Sequence, residues 1–237
     1  FFEAMSGYTT TGASVLNDIE VLPKGVLFWR STTHWIGGMG IIVLAIAILP
    51  FLGIGGIQLF TAEAPGPGGD KLHPRITDTA KRLWLIYVVY TCLETLLLWL
   101  AGMSFFDAIN HAMSTVSTGG FSTKNSSIAF WNDQPLIQYI ISFFMLLAGT
   151  NFVLSYFIFT RKFQKIIADE EFKVYLSFIF VFTLLATVVI LNQESIAVLG
   201  NSFSWTQIET SFRAALFQVI AVITTTGFVS ADFTQWT

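Results

Sequence analysis

The chain has 237 residues, 54% of them hydrophobic and 11% charged, with a net charge of −3, 24 phenylalanines and one cysteine. A water-soluble domain carries about 25% charged residues, so most of this surface faces something apolar, and a lipid bilayer is the matching environment. The acidic balance leaves no basic face for nucleic acid, and Cys92, alone inside an apolar run, excludes an internal disulfide and reads as a small buried side chain.

The chain opens Phe1-Phe2-Glu3, with no basic stretch ahead of an apolar one, so no signal peptide is read; both ends look cut within larger units. Residues 1–8 form a short apolar segment leading into Thr9-Thr10-Thr11-Gly12. Four longer apolar runs follow, at residues 34–60, 83–103, 136–160 and 174–191. A bilayer core needs about 20 apolar residues per helix, so each run reads as a span, the fourth barely long enough. Trp84 and Trp99 flank the second at interface depth. Two further segments, 106–116 and 209–223, are too brief to span.

The basic residues orient these spans. Lys71, Arg75, Lys81 and Arg82 lie between the first and second runs, and Arg161, Lys162, Lys165 and Lys173 between the third and fourth. The opposite side holds Lys24, Arg30 and Lys124, so the positive-inside rule places the first two sets in the cytoplasm. The Gly/Pro-rich stretch 64–71 lacks phosphate-loop spacing and reads as a cytoplasmic linker. His34, His73 and His111 are scattered without metal-ligand spacing, and no nucleophile elbow occurs. An enzyme is not expected, and no cofactor is implied.

Between the runs lies a repeat. Residues 4–14 align without a gap on residues 112–122 and again on residues 219–229. Each copy is a hydroxyl-rich stretch ending at a glycine: Thr10-Thr11-Gly12, Thr118-Gly119-Gly120 and Thr225-Thr226-Gly227. The glycines are 108 and 107 residues apart, and all three fall on the predicted outer side. Each copy follows one of the short segments, which read as pore helices that enter from outside and stop partway. Their C-terminal ends then direct partial negative charge at a cation. Irregular backbone at membrane depth is tolerated where it lines a watery path. Carbonyls, with or without threonine hydroxyls, can there replace an alkali ion's hydration shell. The candidate ion-binding residues are therefore these nine.

Together with Trp35-Ile36-Gly37-Gly38-Met39-Gly40, Ala62-Glu63-Ala64-Pro65-Gly66-Pro67, Ser117 to Ser122 and Thr224 to Phe228, the repeat resembles the Trk/Ktr/HKT superfamily of potassium and sodium uptake proteins. It is most similar to the TrkH-like pore subunits of bacterial Trk systems. The resemblance covers the whole chain in order. It implies an all-α transmembrane fold of four helix, re-entrant loop, helix units, arranged as a pseudo-tetramer around one pore in the bacterial inner membrane. It also implies one key filter glycine per unit, carried here by Gly12, Gly120 and Gly227, with Gly120 preferred to Gly119 because it precedes Phe121 as Gly227 precedes Phe228. A cytosolic nucleotide-binding regulatory subunit and a homodimer of pore subunits are implied partners.

On this reading residues 1–60 end a first unit, 61–82 are a cytoplasmic linker, 83–160 form a second unit, 161–173 a second linker, and 174–237 begin a third. The outer helix of the first unit, the inner helix of the third and all of the fourth fall outside the chain, as do the family's gate loop and an arginine of its last inner helix. The expected function is potassium uptake through a carbonyl-lined selectivity filter; the alternative is ion-coupled secondary transport by sodium or proton symport. Potassium against sodium stays open. Two residues inside the spans stand apart. Glu94 is an intramembrane acid with no identifiable partner, and Ala148-Gly149-Thr150-Asn151 breaks the third run, either for close helix packing or as a bend in the ion path.

Overall fold

The computed structural model describes residues 1–48, 76–150, 154–155, 157, 163–197, 205–232 and 236. Those residues form α-helices and one short 3₁₀ helix, with no strand among them. In order they are α1 (Phe2–Tyr8), α2 (Lys24–Ile48), α3 (Ile76–Leu100), α4 (Phe105–Val116), the 3₁₀ helix (Ser127–Trp131), α5 (Pro135–Ala148), α6 (Phe163–Ala168), α7 (Glu170–Ala197) and α8 (Trp205–Ile223).

The apolar runs locate the spanning helices but misjudge their ends. α2 begins ten residues before its apolar run, at Lys24, because Arg30, Ser31, Thr33 and His34 are buried against protein rather than lipid. Residues 49–60 of that run lie outside the described residues, as does the linker motif Ala62 to Pro67. α5 stops at Ala148, with Gly149 as its C-cap, so the third run is not one continuous helix. The helix expected to be marginal, α7, is 28 residues long, or about 42 Å at 1.5 Å per residue. α8 starts at Trp205, one turn earlier than its apolar face suggests, through the polar turn Thr206-Gln207.

Among the described residues, α3 and α7 carry the segments long and apolar enough to cross a bilayer, Lys81–Leu100 and Glu170–Asn192. They expose Trp84, Leu85, Leu96 and Trp99, and Phe178, Phe180, Leu185 and Val188. In water such a face would lose about 25 cal/mol per Å² left uncovered; against acyl chains it loses nothing. Cys92 lies on this outer face of α3 and is exposed, not buried as its apolar setting suggests. A thiol is compatible with lipid as well as with a core, so neighbouring hydrophobicity does not say which it meets.

Two apolar clusters hold the short helices in place. Met39, Ile86, Tyr87, Tyr90 and Phe144 surround Val116, the last residue of α4, so three long helices receive its tip. Tyr87 Oη donates to the Trp35 carbonyl (3.0 Å) and Trp35 Nε1 donates to Thr91 Oγ1 (3.0 Å), fixing α3 against α2. The larger cluster, including Leu98, Trp131, Ile141, Met145, Phe217 and Phe228, joins α5, α7 and α8.

Candidate ion-conducting site

The helices α1, α4 and α8 end alike. Thr9, Ser117 and Thr224 each donate their hydroxyl to the carbonyl four residues back, at 2.8, 2.8 and 2.7 Å. The next residue turns left-handed: Thr10 at φ 54°, Thr118 at 52°, Thr225 at 58°. Its amide donates to the carbonyl three residues back, on Gly7, Thr115 and Val222. In the first two copies the following amide reaches five residues back, Thr11 to Ser6 and Gly119 to Ser114. This is a Schellman cap with threonine where glycine usually sits. In the third copy the Gly227 amide reaches Ala221 instead. Two residues beyond each left-handed threonine the backbone turns left-handed again, at Gly12 (75°), Gly120 (78°) and Gly227 (76°). A non-glycine residue in this region costs roughly 1–2 kcal/mol, yet it occurs at the same place in all three copies. Among the described non-glycine residues only Ser127 shares it.

The loops then meet head to tail. The Cα of Gly12 faces the carbonyl oxygen of Gly119, and that of Gly120 faces the carbonyl oxygen of Thr226, so closely that a Cβ on either glycine would overlap that oxygen. Gly119 has no left-handed φ; its missing Cβ makes room for the His34 ring. Further glycines bring the long helices up to the loops. Gly37 lies against the Tyr8 carbonyl, while Cβ atoms on Gly38 and Gly149 would come within 2.8 Å of Ser117 and 2.6 Å of Thr224. The break at Gly149 is thus at least a close-packing point beneath the third loop.

Of the nine predicted residues, the structure therefore brings Gly12 to Gly119 and Gly120 to Thr226. The hydroxyls of Thr11 and Thr226 pair with Thr9 and Thr224 at 2.8 Å each, and Thr225 Oγ1 donates to the Thr224 carbonyl at 2.7 Å. These three hydroxyls are engaged inside their own loops.

Sequence reasoning missed the groups that hold the strands leaving the loops. Glu3 Oε1 accepts from Ser14 Oγ (2.9 Å) and from the Val15 amide (2.8 Å). His111, 108 positions on, holds Ser122 in the same way at 2.9 Å. Its Nδ1 lies 2.7 Å from the Asp107 carbonyl, which can only accept, so Nδ1 donates there and Nε2 accepts from Ser122. Asp107 Oδ1 takes the Thr123 hydroxyl (2.6 Å). The third strand is held by its neighbour: Ile128 and Ala129 amides donate to the Val229 carbonyl (3.0 and 3.1 Å), and Ser127 Oγ accepts from its amide (3.2 Å). The alignment pairs Ser14 with Ser122 and, extended by one residue, Glu3 with His111, which is the signal that could have found them. Glu94 is fully buried beside Thr115, with no hydrogen-bond partner for either oxygen among the described residues.

Comparison with known proteins agrees with the helical fold. The chain is 43% identical over 240 residues to the Trk system potassium uptake protein TrkH of Escherichia coli K12, covering all of this chain and 47% of that protein. It is 39% identical over 237 residues to the Trk system potassium uptake protein TrkG of the same organism, covering 99% and 47%. The crystal structure of the potassium transporter TrkH from Vibrio parahaemolyticus superposes with a TM-score of 0.79 at 38% identity, over all of this chain and 46% of that one. The chain thus spans about half the length of the relatives it matches. The TrkH family of cation transport proteins matches residues 1–237 without remainder, and this chain belongs to it.

Proposed function

We propose that this chain supplies three of the four filter segments of a potassium uptake pore, and that ions pass the ring formed by residues 10–12, 118–120 and 225–227. One observation carries the reading: the paired left-handed turns recur in three loops, and Gly12 and Gly120 each abut a carbonyl of the next loop. Left-handed turns two residues apart redirect the backbone carbonyls away from the helical pattern, which suits an ion shedding water. The helix ends behind the loops add a partial negative charge of about half an electron each. Four units would be arranged as a pseudo-tetramer, with residues 1–60, 83–160 and 174–237 belonging to the first three and the linkers 61–82 and 161–173 facing the cytoplasm. The head-to-tail contact is rotational; it favours parallel repeats over the inverted pairs of ion-coupled carriers, and so favours a channel-like pore over symport. The setting is the bacterial inner membrane, in a homodimer of pore subunits with a cytosolic nucleotide-binding regulator. No catalytic role is assigned.

The test uses a bacterium lacking potassium uptake, grown on low potassium. The complete polypeptide should restore growth and rubidium uptake, whereas residues 1–237 alone should not. A loop with no fourth neighbour leaves backbone polar groups facing lipid at several kcal/mol each. Failure of the complete protein to move rubidium, or rescue by residues 1–237 at matched expression, would refute the reading.

A further inference from the structure

We propose that Arg30 is a positioning residue that sets ion selectivity by holding the outgoing strands of the first two loops at a fixed separation. The inference rests on the proposed role of those loops as a selectivity filter. Arg30 sits on α2, only 4% exposed. Its Nε donates to Glu3 Oε2 at 2.8 Å, and an Nη donates to Ser14 Oγ at 3.2 Å. Ser14 is two residues past Gly12. The Arg30 Cζ also lies 4.1 Å from the centroid of the Phe121 ring, and Phe121 directly follows Gly120. The His34 ring stacks on the same ring at 3.8 Å and 13°. Two groups this near one centroid cannot share a face, so Phe121 is clasped between Arg30 and His34, one helical turn apart on α2.

One planar cation thus touches both strands just after their left-handed glycines, and the same two loops meet at Gly12 and Gly119. A guanidinium can direct separate N–H groups to a carboxylate and a hydroxyl in its plane while offering its flat face to an aromatic ring; an ammonium cannot do all three. The charge and the geometry are therefore separable by mutation.

The seam between the second and third units provides the comparison. Arg213, also buried, donates to Glu209 (3.0 Å), to Gln138 Oε1 (2.8 Å) and to the Asn132 carbonyl (3.3 Å). Those contacts end on α8 itself, on α5 and on the residues just before α5. None is on a strand leaving a loop.

The experiment measures rubidium and sodium uptake side by side in the complete polypeptide carrying Arg30→Lys, Phe121→Leu or Arg213→Lys. Arg30→Lys retains a cation opposite Glu3, and Phe121→Leu retains an apolar side chain while removing the ring that Arg30 covers. Both should lower the rubidium-to-sodium ratio about tenfold, the change produced by about 1.4 kcal/mol between two ions. Arg213→Lys should lower total uptake with the ratio kept. A parental ratio in Arg30→Lys or in Phe121→Leu would overturn the proposal, because charge alone would then suffice. An equal loss of ratio in Arg213→Lys would overturn it too, since the ratio would report general damage. Absence of selective uptake in the unsubstituted protein would instead defeat the filter reading beneath it.

Discussion

Replacing Gly120 by serine tests the filter geometry most directly. Gly120 holds φ 78°, where a side chain costs roughly 1–2 kcal/mol. Its new Cβ would also overlap the Thr226 carbonyl oxygen. That neighbour is backbone, so it cannot swing aside as a side-chain tip would. Opening the contact to an ordinary C···O separation of about 3.3 Å displaces the Thr226 oxygen on the ångström scale. Potassium and sodium differ in radius by less than that, and a differential of only about 1.4 kcal/mol changes their ratio tenfold. Gly120→Ser in the complete protein should therefore lower the rubidium-to-sodium uptake ratio by about tenfold or more, with membrane insertion preserved. Gly119→Ser should lower it less. Gly119 has no left-handed φ, and its Cβ meets the His34 ring rather than a carbonyl of the neighbouring loop. An unchanged ratio in Gly120→Ser beside a collapsed ratio in Gly119→Ser would refute the assignment of the shared glycine.

Two further outcomes follow from the fold. In a Cys92→Ala background, single cysteines at 124 and 165 probed on intact cells with an impermeant thiol reagent should be labelled at 124 and not at 165; the reverse would invert the topology drawn from the basic loops. Ser104 caps α4, accepting from the Asp107 amide (3.1 Å) and donating to Asp107 Oδ2 (2.6 Å). Ser104→Ala should therefore destabilise the protein by about 1 kcal/mol, seen as a lowered unfolding temperature in detergent. Its ion ratio should not change, because Ser104 lies at the end of α4 away from Gly120; an unshifted unfolding temperature would show that the cap contributes nothing.

How much of this was legible in the sequence depends on what kind of pattern carried it. The loops were readable because a hydroxyl-rich stretch ending in glycine repeats at a near-constant interval, and backbone demands leave such marks: Gly12, Gly120 and Gly227 all stand at positive φ, which favours glycine. The choice of Gly120 over Gly119 rested on the phenylalanine that follows, and the two glycines prove to serve different neighbours, Thr226 and His34. Helix ends were harder. Hydropathy counts lipid contact, so it passed over the start of α2, where Arg30 and His34 are buried in protein, and it could not foresee that the apolar run after Leu136 would break at Gly149. Arg30 counted in sequence as an outer-side charge. Its ion pair with Glu3 lies 27 positions apart, a separation no local pattern encodes.

The supports behind the loops explain why the repeat is clear at the glycines and faint elsewhere. The first outgoing strand is held by a carboxylate backed by an arginine, the second by a neutral histidine and an aspartate, and the third by amides of the neighbouring 3₁₀ helix. All three leave nearly the same backbone, with φ values agreeing within 6° at the threonines and 3° at the glycines. The proposed coordinating ring would need equal carbonyl positions from each unit but would impose nothing on how each strand is anchored, because the anchors hold the residues after the glycines and not the loop carbonyls. Substitution at Glu3, His111 or Asp107 can therefore be compensated by different chemistry, provided the strand stays in place. Substitution at Gly12 or Gly120 cannot, since the neighbouring carbonyl occupies the space a side chain would need.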